Sequence, residues 1–355
     1  MLKSMSLLML ANISRPRLYS KPLFLNFCRK VNSRMTRYIY VTRKISPKAL
    51  DILKKRYSVT MWESEDPVPR DELLKRIVGC DGLYCLITEK IDANVIDAAG
   101  TNLTTISTMS VGVDHIDLPT CKQRNIKVGF TPDVLTDATA ELTVALLLAT
   151  SRRIVEGVNE VKSGGWGSWK PFWMCGPGLL GSTVGIVGLG RIGQAVANRL
   201  KPFGVTRFLY NNRNPKPEAD IISAEFVSFE QLLEQSDFVI ICCALNPDTK
   251  EMFNRHAFKK MKSSAILVNT SRGGVVQQED LYHALKTGQI RAAGLDVTTP
   301  EPLPTDHKLL TLKNCVVLPH IGSATEDTRE AMSVLAAENL VAGLEGSPMP
   351  YQFNL

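Results

Sequence analysis

Short apolar runs alternate with amphipathic stretches along most of the chain. Tyr38-Ile-Tyr-Val41 reads as a first strand and Pro47 to Tyr57 as a helix. Gly82-Leu-Tyr-Cys-Leu-Ile87 is a second strand, Ala93 to Ala99 a helix, and Thr105-Ile-Ser-Thr108 a third strand. Ile126-Lys-Val-Gly129 is a short strand that ends near Pro132. Apolar runs this short, separated by segments of helical period, are the pattern of a parallel sheet with crossover helices. Asp137 then reads as an N-cap, with Ala140-Glu141 in the first turn of a long apolar helix through Leu148. The pattern continues toward Lys162, which predicts one rigid connector between two domains.

Residues 163–181 interrupt the pattern with six glycines, two prolines and the tryptophans Trp166, Trp169 and Trp173. The aromatics suit burial against a partner subunit, a substrate mouth or the loop's own surroundings. Alternation then resumes. Thr183-Val-Gly-Ile-Val187, Val205-Thr-Arg-Phe-Leu-Tyr210, Phe238-Val-Ile-Ile-Cys-Cys243, Ala265-Ile-Leu-Val-Asn269, Ala292-Ala-Gly-Leu-Asp-Val297 and Cys315-Val-Val-Leu318 read as strands. An Ala/Leu-rich helix over Ala331 to Leu344 closes the chain. The 355 residues suffice for two domains of ordinary size, and no repeat of solenoid period is present. The expected class is α/β, with doubly wound sheets.

Three polar residues stand just past the last three strand runs: Arg272, Glu301 and His320. In a parallel sheet the residues that follow the strands collect along one edge, where ligands bind. A fixed cation, a carboxylate and an imidazole gathered there form an anion clamp and a general acid tuned by its neighbour.

Gly188-Leu-Gly190-Arg-Ile-Gly193 follows its strand immediately, and Gln194 to Leu200 reads as a helix. In this context the three glycines predict a dinucleotide site. Gly188 makes the tight turn, Gly190 admits the pyrophosphate, and Gly193 allows close helix packing. The amides of Arg191 and Ile192 point at the phosphates from the helix start. The next strand ends in Asn211-Asn-Arg-Asn214 with no acid to take a ribose 2′-hydroxyl. Arg213 suits a 2′-phosphate instead, which predicts NADP(H) as cofactor, with NADH weaker.

Composition adds a leader and removes nucleic acid. The net charge of +7 is carried by residues 1–34, which hold seven bases and no acid. Without them the chain has 35 basic and 35 acidic residues, so no basic binding face is implied. An Arg- and Ser-containing, acid-free stretch over residues 1–36 is the composition of a mitochondrial transit peptide or of a disordered extension. A start at Met35 would instead favour the cytoplasm. No segment is long and apolar enough to span a membrane. The eight cysteines lack zinc-site spacing, so no metal is expected, and they suit a reducing compartment. Cys242 and Cys243 read as core packing.

Val268-Asn-Thr-Ser-Arg272-Gly-Gly, Gly294-Leu-Asp-Val-Thr-Thr-Pro-Glu301-Pro and Leu318-Pro-His320-Ile-Gly-Ser occur in this order, at spacings of 29 and 19 between the key residues. With the glycine turn they resemble the D-isomer-specific 2-hydroxyacid dehydrogenase family, from about Arg37 to the end. Ser107-Thr-Met-Ser-Val-Gly112, Gly164-Gly-Trp-Gly-Ser-Trp-Lys-Pro171 and Pro319-His-Ile-Gly-Ser-Ala-Thr325 resemble its animal members that reduce glyoxylate and hydroxypyruvate.

That resemblance implies two Rossmann-like domains: a split substrate-binding domain (37–134 plus 326–355) around an inserted NADP-binding domain (135–325). It implies a homodimer and a small 2-oxo or 2-hydroxy acid as substrate. Arg272 would bind the substrate carboxylate and C2 oxygen, and His320 would give its proton to the ketone. Glu301 would stabilise the imidazolium. The amides of Val111 and Gly112 would hold the carboxylate's other oxygen, and Trp169 would reach the partner's substrate mouth. Asn214, Ala244, Thr270, Asp296, Gly322 and Ser323 would border the cofactor. Ala244 stands where related enzymes carry a hydroxyl residue, which removes one cofactor hydrogen bond. The remaining histidines, 115, 256, 283 and 307, lie outside these motifs and read as surface or structural groups.

Two rivals share the superfamily. A phosphoglycerate-type dehydrogenase would commonly carry a regulatory domain after the closing helix, and Ser107-Thr-Met-Ser110 lacks an arginine for a substrate phosphate. An NAD(H)-sensing corepressor would keep the same polar trio without turnover.

Overall fold

The computed structural model describes residues 37–355; the leader lies outside them. Two parallel sheets carry the chain. The first comprises β1 (Tyr38–Val41), β2 (Ser58–Met61), β3 (Gly82–Cys85), β4 (Thr105–Thr108) and β5 (Lys127–Gly129), in the order β2-β1-β3-β4-β5. The second comprises β6 (Thr183–Val187), β7 (Arg207–Asn211), β8 (Ala224–Phe226), β9 (Phe238–Ile241), β10 (Ile266–Asn269), β11 (Ala292–Leu295) and β12 (Cys315–Val317), in the order β12-β11-β10-β9-β6-β7-β8. Every pairing within both sheets is parallel. Central strands are buried on both faces, which is why they read as continuous apolar runs.

Two strands escape the hydrophobic pattern. β2 is an edge strand of the smaller sheet whose residues alternate between exposed and half-buried, and β8 is an edge strand of the larger sheet with two exposed residues. Neither buries enough apolar surface to announce itself.

The long connector is not one helix. Thr136–Ser151 ends in Arg152, and Arg153 takes a left-handed backbone (φ 53°) before a second helix, Ile154–Lys162, begins. Arg153 then forks onto Glu156 in that helix's first turn, with two nitrogens each donating at 2.8 Å. Asp137 is not the N-cap either: it lies inside the first turn and pairs with Arg199 at 2.7 Å. The two helices differ in burial. Thr136–Ser151 packs on β10, β11 and β12 and against the helix Arg191–Leu200. Ile154–Lys162 buries no residue and exposes Ile154, Val155, Val158 and Val161.

The closing helix spans Glu326–Glu345 and starts earlier than its apolar pattern, because Thr325 caps it through the Thr328 amide. It leaves the larger sheet and packs on β3, β4, β5 and the helix Pro47–Lys54. Polar bonds fix this return. Buried Ser107 donates to Ala336 O at 2.7 Å. Asn339, fully buried, donates to Phe130 O and accepts from Tyr351 N, both at 2.8 Å. A buried polar group left unmet costs about 1–3 kcal/mol, so these bonds specify where the helix sits.

Candidate active site

Because the strands are parallel, the segments after β6, β9, β10, β11 and β12 emerge on one edge of the larger sheet. The strand order reverses between β6 and β9, and that switch point carries the glycine turn. Gly188 has φ 98°, and a Cβ there would sit 2.5 Å from Cys243 N, so no other residue fits. A Cβ on Gly190 would meet nothing, whereas one on Gly193 would strike Gly188 O. The turn is packed tightly underneath and open above, where a pyrophosphate would lie. Gly190 is the N-cap of the helix Arg191–Leu200, so the amides of Arg191 and Ile192 head that helix. Cys242 and Cys243 border the two cores beneath the turn.

The end of β7 carries no acid. Asn211 Nδ2 donates to Val227 O and Asn212 Oδ1 accepts from Leu189 N, so both amides brace the turn. Arg213 is 79% exposed, with only a loose ion pair to Asp248 at 3.8 Å. Arg191 pairs with Asp133, whose other oxygen accepts from Tyr351 Oη at 2.8 Å.

Arg272 is presented by a loop that buried Asn269 folds. Asn269 Oδ1 accepts from Ser271 N and Oγ at 3.0 Å, and its Nδ2 donates to Arg272 O at 2.9 Å. Thr270 is tied to Thr143 of the connector helix by a 2.7 Å hydroxyl bond. Glu301 sits in a turn whose Thr298 N donates to Glu301 Oε1 at 3.0 Å. Its Oε2 lies 2.8 Å from His320 Nδ1. Burial pushes the Glu301 carboxyl up, but the bond to His320, that ring's charge, the Thr298 amide and the Arg272 charge outweigh it. The carboxyl is held below its usual range, so Nδ1 carries the proton of this bond. Among the described residues His320 Nε2 has no hydrogen-bond partner.

Asp296 holds the histidine loop. Its oxygens accept from Ile321 N and Gly322 N, each at 2.8 Å, and its carbonyl accepts from His320 N at 2.9 Å. Burial nevertheless raises the Asp296 carboxyl above its ordinary range, against those amides and the His320 charge. Gly322 is therefore spent on Asp296, with Ser323 following in the same turn. Ala244 O accepts from Thr249 Oγ1 at 2.7 Å, closing the loop after β9.

The smaller sheet reaches the same place through the loop after β4. Arg272 Nε donates to Asp114 at 3.1 and 3.3 Å. Among the described residues the Val111 and Gly112 amides donate to no protein acceptor. The structure thus links His320 to Glu301 and to Asp296, and sets Arg272 against Gly112, next to Val111, with its charge felt at Glu301. Trp169 is 81% exposed, on the loop that joins the helix Ile154–Lys162 to β6.

Sequence reasoning missed Asp114, which touches Arg272, whereas His115, read as a surface or structural group, is largely enclosed and bonded to Thr108. Both directly follow the Val111-Gly112-Val113 segment, and that adjacency was the available signal. Asp133 and Tyr351 gave none, since their pairing joins residues 218 apart.

Residues 144–322 match the family model for the NAD binding domain of D-isomer specific 2-hydroxyacid dehydrogenases. The chain is 58% identical over 320 residues to the glyoxylate reductase/hydroxypyruvate reductase of Homo sapiens, covering 89% of this chain and 98% of that protein. Among solved structures it resembles a protein of Thermus thermophilus with a TM-score of 0.83 and 46% identity, over 89% of this chain and all of the other. It also resembles an NADPH-dependent glyoxylate/hydroxypyruvate reductase of Sinorhizobium meliloti in complex with NADP and malonate, with a TM-score of 0.78 and 30% identity over 90% and 97% of the two chains. Both the fold and the ordered motifs lead to one statement: the chain belongs to the D-isomer specific 2-hydroxyacid dehydrogenase family.

Proposed function

We propose that this enzyme reduces glyoxylate to glycolate and hydroxypyruvate to D-glycerate, with NADPH as the preferred donor. The observation that carries the reading is the 2.8 Å Glu301–His320 pair beside Arg272. Ionised Glu301 holds the Nδ1 proton, which aims Nε2 as the donating nitrogen of an imidazolium. NADPH, when bound along the Gly188–Gly193 turn, supplies the hydride to C2 of the 2-oxo acid. His320 Nε2 gives its proton to the carbonyl oxygen, so the product is the 2-hydroxy acid. Arg272 pairs with the carboxylate and polarises the C2 oxygen, and the Val111 and Gly112 amides take the remaining carboxylate oxygen. Oxidation of NADPH followed at 340 nm with glyoxylate, hydroxypyruvate and pyruvate tests this reading; no turnover with any of them would overturn it.

The division of labour follows. Residues 37–134 and 326–355 form the substrate lobe, and 135–325 the cofactor lobe, with Asn214, Ala244, Thr270, Asp296, Gly322 and Ser323 bordering the dinucleotide.

NADPH preference rests on Arg213. An exposed guanidinium with one loose partner is free to meet a 2′-phosphate, and no acid ends β7 to repel it. A hydrogen bond to a charged group contributes about 1.5–3 kcal/mol. Arg213→Ala should therefore raise the NADPH KM roughly 10- to 100-fold, with the NADH KM little changed. Equal shifts for both cofactors would refute the assignment.

The assembly proposed is a homodimer built on Ile154–Lys162 and the tryptophan loop, with Trp169 at the partner's substrate mouth. Exposed Val155, Val158, Val161, Trp166, Trp169 and Phe172 support it, being too much apolar surface for one face of a monomer to leave in water. Light scattering should give twice the chain mass, and the double substitution Val158→Lys, Val161→Lys should give the mass of one chain. A wild-type monomer would end the proposal.

A further inference from the structure

The loop after β4 holds a charge in an unexpected place. Asp114 lies against Arg272, where its carboxylate would repel the anion that Arg272 is proposed to bind. Its presence needs a compensating gain, and the geometry supplies one. Asp114 accepts from Nε at 3.1 and 3.3 Å, while Ser271 O accepts from Nη1 at 2.8 Å. The guanidinium is held from its side and back, and Nη2 is left toward Gly112. A Cβ at residue 112 would collide with Nη2, so only glycine lets the arginine lie this close to the free Val111 and Gly112 amides.

The loop itself is braced by a chain of side-chain bonds with a single proton ordering. Ser110 Oγ donates to Gly112 O at 2.7 Å, because a carbonyl can only accept. Thr108 Oγ1, 2.8 Å from Ser110 Oγ, must then donate to it. His115 Nε2 lies 3.0 Å from Thr108 Oγ1 and donates in turn. This requires the neutral tautomer with its proton on Nε2. His115 Nδ1 is buried with no partner, so a second proton there would have no acceptor. Burial, against the charge of Asp114 and with that of Arg272, pushes the ring down to about 4.

We propose that Asp114 is the positioning residue of the carboxylate clamp, aiming Arg272, and that the Thr108–Ser110–His115 chain fixes the loop from which it acts. The proposal rests on the reductase reading above. It makes the clamp a joint product of both sheets: β10 supplies the cation, and β4 supplies the amides and the carboxylate that orients it.

The test compares Asp114→Ala, Asp114→Asn and Ser110→Ala with the wild-type enzyme. Asp114→Ala should raise the glyoxylate KM about 10- to 100-fold, the range for losing a bond to a charged group. The NADPH KM should stay within about twofold, since a neutral bond's worth of change is already several-fold. Asp114→Asn should recover most of the loss, because its amide oxygen still accepts from Nε. Ser110→Ala, which keeps the clamp residues, should raise the glyoxylate KM several-fold. A glyoxylate KM unmoved by Asp114→Ala, an Asn variant as impaired as Ala, or a parallel rise in NADPH KM would each overturn the proposal. Calorimetric binding of oxalate, an unreactive 2-oxo-acid mimic, to the NADPH-loaded enzyme requires no turnover. If the wild type turns over no 2-oxo acid, the reductase reading falls, and oxalate affinity that is equal in wild type and Asp114→Ala also ends the positioning role.

Discussion

His320→Gln should lower kcat for glyoxylate reduction about 10²- to 10⁴-fold, the usual contribution of a general acid. Glutamine keeps a hydrogen-bonding side chain but has no proton to surrender at C2–O. The loop should survive the change, because the His320 backbone amide, and not its ring, bonds to Asp296 O. NADPH affinity, measured by the fluorescence of the bound nicotinamide, should therefore hold. A His320→Gln enzyme within tenfold of the wild-type kcat would remove the imidazole from the chemistry.

Glu301 sets the acid limit of this pair. Its carboxyl lies below its ordinary value of 4.5, and burial alone would have moved it the other way. Its folded value being depressed, its contribution to stability is fully present above the unfolded value and is lost as pH falls through the folded one. The Glu301–His320 bond thus persists through the range where free carboxylates begin to protonate.

Legibility of the fold tracked burial. The central strands β3, β6, β9, β10 and β11 stand out as apolar runs because water reaches neither face, whereas equally buried β4 is mostly Thr and Ser. The edge strands β2 and β8 do not, because their neighbours on one side are solvent. The break at Arg152–Arg153 was hidden for a different reason: the apolar period runs through it. Residues before the break bury their apolar faces in the larger sheet, whereas those after it turn theirs to solvent. A periodic pattern reports that a face is apolar, not what covers it.

The site divides along the same line. Arg272, Glu301 and His320 were visible because each follows a strand, and parallel strands bring their ends together whatever the intervening loops do. Asp114 acts through a contact between the two sheets, and a contact across 158 residues leaves no periodic trace. Sequence named the groups that would touch substrate, with Glu301 behind His320; Asp114, which holds Arg272, emerged only with the geometry.

Arg272→Gln should lower kcat/KM for glyoxylate roughly 30- to 5,000-fold, since removing one member of a desolvated charge pair costs about 2–5 kcal/mol. Two losses combine. The substrate carboxylate forfeits its fork of donors, and Asp114, with 30% of its side chain exposed, is left facing that carboxylate without its counter-charge. Arg272→Lys separates them. Lysine restores the charge beside Asp114 but presents a single nitrogen, which cannot hold Asp114, Ser271 O and a carboxylate in three fixed directions at once. The lysine enzyme should bind oxalate better than the glutamine enzyme yet turn over glyoxylate nearly as poorly, because hydride transfer needs the C2 carbonyl held at one angle and not merely held nearby. Steady-state kinetics with both variants beside oxalate titrations would decide it. A lysine enzyme with wild-type kcat would mean that charge alone serves the clamp and that the orientation imposed by Asp114 is dispensable.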